Sequence, residues 1–279
     1  MKSRQKFKYM FKKYLVKIAV KSGLLRRWTF NRQCTDEARR LGYRESKRLF
    51  AEKRKFHKTI LKERSPRKRA LLAIAHYNKI YSDIKNNIPD DPDRKKSFGF
   101  VPDFIELEKD LFKDRIVIDI GCSTGVSTEY ISRYAKTVYG LEYSTIILEE
   151  AKEQYGHVKN IQFLSIDGIK LPFDDGSIDL VYSNDVIEHL HPDDAFMHFR
   201  EVLRVLKNEG RYYFWTPGKS TGPHDFTKNF YLTGVGVGPK ASHIREYIFA
   251  EMIEILKEAG YRKVTIPDIK KEVLLIAEK

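Results

Sequence analysis

From Arg115 onward, short apolar runs rich in β-branched residues alternate with stretches whose apolar positions recur every three or four residues. The short runs predict strands at 115–120, 137–141, 161–165, 178–183, 210–215, 262–267 and 272–277. The longer periods predict helices at 103–109, 125–133, 145–154, 194–206 and 244–259. Strand-helix alternation with short links predicts an α/β fold, a parallel sheet with helices on both faces. Only Pro267 to Lys271 separates the last two strands, too short for a parallel crossover, so they are expected to pair as an antiparallel hairpin. Gly260 follows the last helix, where a left-handed C-terminal glycine belongs.

The first third reads differently. Phe7, Met10, Phe11, Tyr14, Leu15 and Ile18 share one face of a helix over 5–20, with Lys6, Lys8, Lys12, Lys13 and Lys17 around the rest. Residues 1–28 therefore fit either a membrane-surface helix, with Trp28 at headgroup level, or an amphipathic helix docked on the protein's own core. Thr35 is a suitable N-cap for a charged helix running to about Arg64. Ser65-Pro66 opens a second helix over 67–86, with Leu71, Leu72, Ile74, Ala75, Asn78 and Ile80 toward its buried side. The turn-rich run Asn86 to Asp93 ends this helical pair, spanning 35–86. The expected division is a basic helical extension, 1–95, and a core domain, 96–279.

Charge sharpens that division. The chain of 279 residues carries a net charge of +14, yet residues 1–69 hold 25 Lys or Arg against 5 Asp or Glu. That segment is +20 and the remainder −6. An anionic partner is implied for the extension: a membrane surface, a nucleic acid or a phosphorylated substrate. The alternative is a solvated surface on Lys-rich helices. Cys34 and Cys122 form no metal spacing or disulfide framework, which fits a reducing, cytoplasmic setting. No apolar run approaches the roughly 20 residues needed to span a bilayer, and no secretory signal is expected.

The chemistry is concentrated at strand ends. Ile116 to Ile120 carries Asp119 and opens into Gly121-Cys122-Ser123-Thr124-Gly125, a tight turn leading into a helix. Glu142 ends the second strand, where an acid accepts from both ribose hydroxyls, and Asp167 follows the third, placed for an exocyclic amine. A dinucleotide site wants Gly-x-Gly-x-x-Gly for pyrophosphate. Here the middle glycine is Ser123, and Asp119 in front would repel pyrophosphate while tolerating the sulfonium of S-adenosylmethionine.

On these residues the chain resembles the class I S-adenosylmethionine-dependent methyltransferases, in the broad group related to ubiquinone and menaquinone biosynthesis methyltransferases. Asp119 to Gly125 resembles their first motif. Glu142 matches the ribose acid and Ile166-Asp167-Gly168 the adenine-contacting segment. Leu171 to Val181, Asn184 to Leu190 and Leu203 to Arg211 match the runs around the fourth and fifth strands. The resemblance implies a Rossmann-like seven-stranded sheet of order 3-2-1-4-5-7-6 with strand 7 antiparallel. It implies S-adenosylmethionine as cofactor and S-adenosylhomocysteine as product. It also implies a cofactor set of Asp119, Gly121, Cys122, Ser123, Thr124, Gly125, Glu142, Tyr143, Asp167, Gly168, Asn184 and Asp185.

For the acceptor, a hydroxyl needs its proton taken. His189, His224 and His243 are the candidates, His189 first, with His224 or His243 as acceptor ligand or alternative base. A histidine that merely caps a helix or sits in a loop is the ordinary alternative for each. The glycine-rich stretch 216–242 offers Phe226, Phe230 and Tyr231 for stacking on a ring. Arg245 either meets an acidic acceptor group or pairs with Glu246 or Asp225. No tight His/Asp cluster is evident, so no metal is expected, although a divalent ion bridging Asp185 and a substrate diol is a further option. The leading expectation is O-methylation of a polar or lipid-linked glycan at the cytoplasmic face of a membrane. The alternatives are an RNA methyltransferase gripping phosphate through its basic tract, a small-molecule or quinone-type methyltransferase, and a non-catalytic subunit on the same fold.

Overall fold

A computed structural model describes residues 52, 55–87, 100–167, 170–216, 243–266 and 273–279. The helix expected over 5–20, the membrane-surface reading of 1–28, most of the helix from Thr35 and the boundary at 95/96 lie outside the described residues. Residues 55–60 are helical, a turn follows, and α1 spans Pro66–Asn87. Proline suits that first position because its missing N–H has no partner there anyway. Of the face expected to be buried, Leu72, Ile74, Asn78 and Ile80 are half-buried but Leu71 and Ala75 are exposed, and the fully buried positions are Arg69 and Ala70. Leu71 is 58% exposed, whereas Arg69 is 2% exposed. The reason is a specific ion pair: Arg69 Nε donates to Asp194 Oδ2 at 2.7 Å, and its Nη1 donates to the carbonyls of Glu63 and Arg64.

The core domain begins with α2 (Phe100–Leu107) and α3 (Lys109–Phe112). The strands are β1 (Ile116–Ile120), β2 (Thr137–Glu142), β3 (Ile161–Ser165), β4 (Ile178–Asn184), β5 (Leu206–Thr216), β6 (Lys263–Thr265) and β7 (Val273–Glu278). Between them lie α4 (Val126–Ser132), α5 (Thr145–Tyr155), α6 (Pro192–Val205) and α7 (Phe249–Ala259). The sheet order is β3-β2-β1-β4-β5-β7-β6, and β7 runs antiparallel to both β5 and β6. The expected topology and hairpin are therefore present.

Alternation along the strands builds two cores. Val117, Val138, Leu180, Tyr182 and Tyr213 pack with Phe104, Ile105, Phe112 and Ile131 on one face. Ile118, Leu141, Val181, Tyr212 and Phe214 pack with Phe199, Val202, Met252 and Leu256 on the other. Each such side chain contributes roughly 1.5–3 kcal/mol on burial. Gly140 in β2 is a steric requirement: a Cβ there would stand 2.7 Å from Phe163 Cδ1.

Two elements depart from expectation. β5 starts at Leu206, and pairing jumps from Ile178 with Leu206 to Leu180 with Arg211, so residues 207–210 bulge from the ladder with Glu209 at φ 64°. The last helix starts at Phe249, not 244, because the amides of Ile244 and Arg245 are both taken by the Glu188 carbonyl, at 2.6 and 3.1 Å.

Under the sheet, His198 of α6 is buried, with Nε2 2.9 Å from the Tyr212 hydroxyl, itself 2.8 Å from Ser183 Oγ. Burial pushes the imidazole from its ordinary 6.5 down to about 4. The folded chain thus refuses a proton that the unfolded chain accepts. Stability from this group is complete above pH 6.5 and is lost as pH falls to about 4, a change of about 3 kcal/mol. In urea denaturation, the stability gap between the parent and His198→Gln is expected to shrink by that amount from pH 7 to pH 4; a constant gap contradicts it.

Candidate active site

The strand order reverses between β1 and β4, which opens a crevice beyond their carboxyl ends, the usual ligand site of such sheets. Gly121 and Gly125 turn the chain there at φ 74° and 82°. A Cβ on Gly121 would meet Val186 Cγ2 at 2.5 Å, so the turns after β1 and β4 touch. Ser123, standing where relatives of this type carry glycine, adopts the glycine-like φ of 50°.

Glu142 joins the turns after β1 and β2. Its Oε1 accepts from the amides of Tyr143 and Ser144 at 2.8 and 3.0 Å, and its Oε2 from Ser123 N at 3.1 Å. Burial nevertheless raises its pKa above the ordinary value. A carboxylate has about four acceptor directions, so one remains for a ribose hydroxyl.

Asp119 is turned inward. It is 1% exposed, and Oδ2 accepts from Ser127 Oγ at 2.6 Å and Thr128 Oγ1 at 2.7 Å. Its carboxyl, pushed up to about 6 by burial against those two hydroxyls, fastens α4 to β1 from beneath the turn. The Cys122 side chain also faces the core, beside Leu148, Ala151 and Phe163, so only its backbone borders the turn. Thr124 is buried, Asp167 is exposed at the end of β3, and Gly168 lies outside the described residues.

A second centre forms where sequence alone showed no cluster. Glu188, His189 and His243 bring one ligand atom each within 4.8 Å of one another. Glu188 is wholly buried, and its Oε2 accepts from Thr216 Oγ1 at 2.8 Å. Its Oε1 has no hydrogen-bond partner among the described residues and lies 3.7 Å from His189 Nε2 and 3.9 Å from His243 Nε2. His243 Nδ1 is 2.7 Å from Glu246 Oε1, a residue 1% exposed. Bonding a carboxylate requires the proton on Nδ1, so the neutral ring presents its Nε2 lone pair. Burial, reinforced by Asp185, drives the Glu188 pKa well upward. Asp185 itself sits at φ 55°, its carboxyl raised to about 6 by burial despite the Asn184 amide at 3.2 Å. The expectation of no ligand cluster is thus corrected: the residues are 54 positions apart in sequence, and the Glu188 carbonyl draws them together by capturing Ile244 N and Arg245 N.

Other assignments fall out. Arg245 is bound to Glu251 and stands 5.0 Å from the Tyr247 ring centre, while Asp225 lies outside the described residues. His191 caps α6, accepting from Asp193 N at 3.2 Å. His224, Phe226, Phe230 and Tyr231 lie outside the described residues. Tyr143 is half-buried beside Glu142. Sequence reasoning missed the roles of Glu246 and Thr216. The first was visible as an acid three residues after a histidine; the second had no local signal.

Comparison with known proteins agrees with this geometry. Residues 118–214 match the family model described as "Methyltransferase domain". A methyltransferase structure from Aquifex aeolicus, described as S-adenosylmethionine dependent, shares the fold, with TM-score 0.50 and 21% identity over 71% of this chain and 95% of that one. The match over residues 118–214 and the shared sheet order support an S-adenosylmethionine-dependent methyltransferase domain of class I type in the core. Among curated relatives, "Cycloartenol-C-24-methyltransferase" of Arabidopsis thaliana is 27% identical over 61% of this chain and 51% of its own length. A Mycolicibacterium smegmatis protein named "Probable S-adenosylmethionine-dependent methyltransferase" is 30% identical over 53% of this chain and 52% of its own. The chain spans about half the length of these relatives.

Glu142→Gln keeps the shape of the donor site and removes its charge. Charged hydrogen bonds are worth about 1.5–3 kcal/mol, so S-adenosylhomocysteine affinity measured by calorimetry is expected to fall at least about tenfold. Unchanged affinity would remove Glu142 from the donor site.

Proposed function

We propose that this chain transfers the methyl group of S-adenosylmethionine to an oxygen of its acceptor, and that Glu188, His189 and His243 hold a divalent cation which binds that oxygen. The observation that carries the reading is Glu188 Oε1: fully buried, without a hydrogen-bond partner, and aimed at two imidazole nitrogens. Leaving such an atom unpaired costs about 1–3 kcal/mol or more, a cost that a bound cation offsets. One oxygen and two nitrogens suit a first-row divalent ion, and Glu246 behind His243 is the outer carboxylate that orients such a ligand. A cation there would lower the acceptor's pKa and fix its direction. Without a cation, His189 would instead be the proton acceptor beside the acceptor position.

Two adjacent hydroxyls chelate an ion better than one, which favours a sugar diol or similar polyol, and the glycan reading stays the leading one. The +20 tract of residues 1–69 supports an acceptor presented at an anionic surface, the lipid-linked case. The second reading is carbon methylation. It is favoured by likeness to the Arabidopsis thaliana relative named for C-24 methylation. The polar trio at the crevice favours oxygen.

Mn2+ titration of the purified chain, followed by calorimetry, tests the cation. Saturable binding is expected, with His243→Ala weakening it at least about a hundredfold and Glu246→Gln by about 10–100-fold. Absence of binding by the parent overturns the cation and leaves His189 as the base.

A further inference from the structure

The helix that precedes the methyltransferase domain reaches into the crevice. Two contacts fix its position. Arg69 is paired with Asp194 in the first turn of α6, just beyond His189 and His191. Nine residues on, Asn78 Oδ1 accepts from Ser144 Oγ at 2.8 Å, and Ser144 caps α5 two positions after Glu142. So α1 spans the crevice from the segment after β4 to the segment after β2. Tyr77 lies between these anchors, its ring edge-on to His189 at 6.2 Å and 88°.

Tyr77 keeps some accessible surface yet is surrounded by protein, the condition of a residue lining a cleft. Its hydroxyl has no hydrogen-bond partner among the described residues. Burial first, then Tyr81, Glu188 and Glu142, hold its pKa well above the ordinary phenol value, so the group stays neutral. The geometry sets the ring between two ends of the crevice: Asn78, its neighbour, is bonded to Ser144, two residues after Glu142 at the ribose end, and the ring itself meets His189, next to Glu188 at the acceptor end.

Chemical connectivity determines what falls between those two ends. In a donor whose ribose is at Glu142 and whose methyl points to Glu188 and His189, the sulfonium and its carbons lie in the interval. We propose that Tyr77 is a donor-binding residue contributed by the N-terminal extension, its phenol oxygen facing the sulfonium and accepting C–H contacts from the polarised methyl and methylene groups. This rests on the methyltransferase reading above. Such contacts are individually weak, and the electron-rich aromatic ring adds attraction for the cationic sulfur. The residue would then position the methyl group as well as distinguish donor from product, since only the donor is charged at sulfur.

That distinction is the test. Dissociation constants for S-adenosylmethionine and S-adenosylhomocysteine are measured by calorimetry on the full chain, the parent, Tyr77→Phe and Tyr77→Leu. Tyr77→Phe keeps the ring and its packing on His189. It is expected to weaken S-adenosylmethionine about threefold to fivefold while leaving S-adenosylhomocysteine within twofold. Tyr77→Leu, which also removes the ring, is expected to widen the gap further. Equal changes for both ligands, or none, overturn the inference while the proposed function stands. A parent that binds neither ligand overturns both.

Discussion

Burial of the Glu188 carboxylate organises the acceptor side of this protein. Its backbone carbonyl holds two amides of the 244–245 segment, one of its side-chain oxygens takes the hydroxyl that ends β5, and its other oxygen faces two imidazoles. Three stretches distant in sequence meet at one residue. Remove that anchor and nothing in local propensity keeps residues 243–248 from continuing α7 backwards, which is what their apolar spacing predicts.

Three acids at one sheet edge share the same problem, desolvation, and are compensated unequally. Glu142 has three amides on its oxygens, Asp119 two hydroxyls and Glu188 one. The pKa of each is raised, least restrained at Glu188. Buried charge without compensation is expensive, so it persists only where something else benefits. Asp119 benefits the fold by tying α4 to β1. Glu142 orders two turns and retains one acceptor direction. Glu188 keeps a whole oxygen in reserve, which is why function rather than stability accounts for it.

The sheet was legible because parallel strands buried on both faces write long apolar runs, and because the short link after β6 permits only a hairpin. The donor acids were legible because strand ends are local features. The rest depends on contacts that periodicity does not encode. His189 and His243 read as separate loop histidines until the fold sets their rings 5.2 Å apart. Arg69 read as one more charge in a basic tract, yet it is among the largest fully buried side chains. Asp119 read as facing the ligand because sequence shows a residue's place on a strand, not which neighbours compete for its oxygens.

Arg69 also changes how the basic extension relates to the chemistry. A solvated, Lys-rich segment could be joined to the core by an indifferent linker. Instead, α1 is fastened at Asp194 and Ser144, the segments that follow the acceptor and donor strands respectively. Any force on α1 is therefore felt on both sides of the crevice. By thermodynamic reciprocity, a partner that favours docked α1 also favours whatever the docked helix helps to bind, by the same factor. The six exposed cations Lys55, Lys58, Lys62, Arg64, Arg67 and Lys68 lie on the elbow leading into that helix. The described end of the basic extension is thus tied to both sides of the crevice, at one by the buried Arg69 guanidinium and at the other by the Asn78–Ser144 bond.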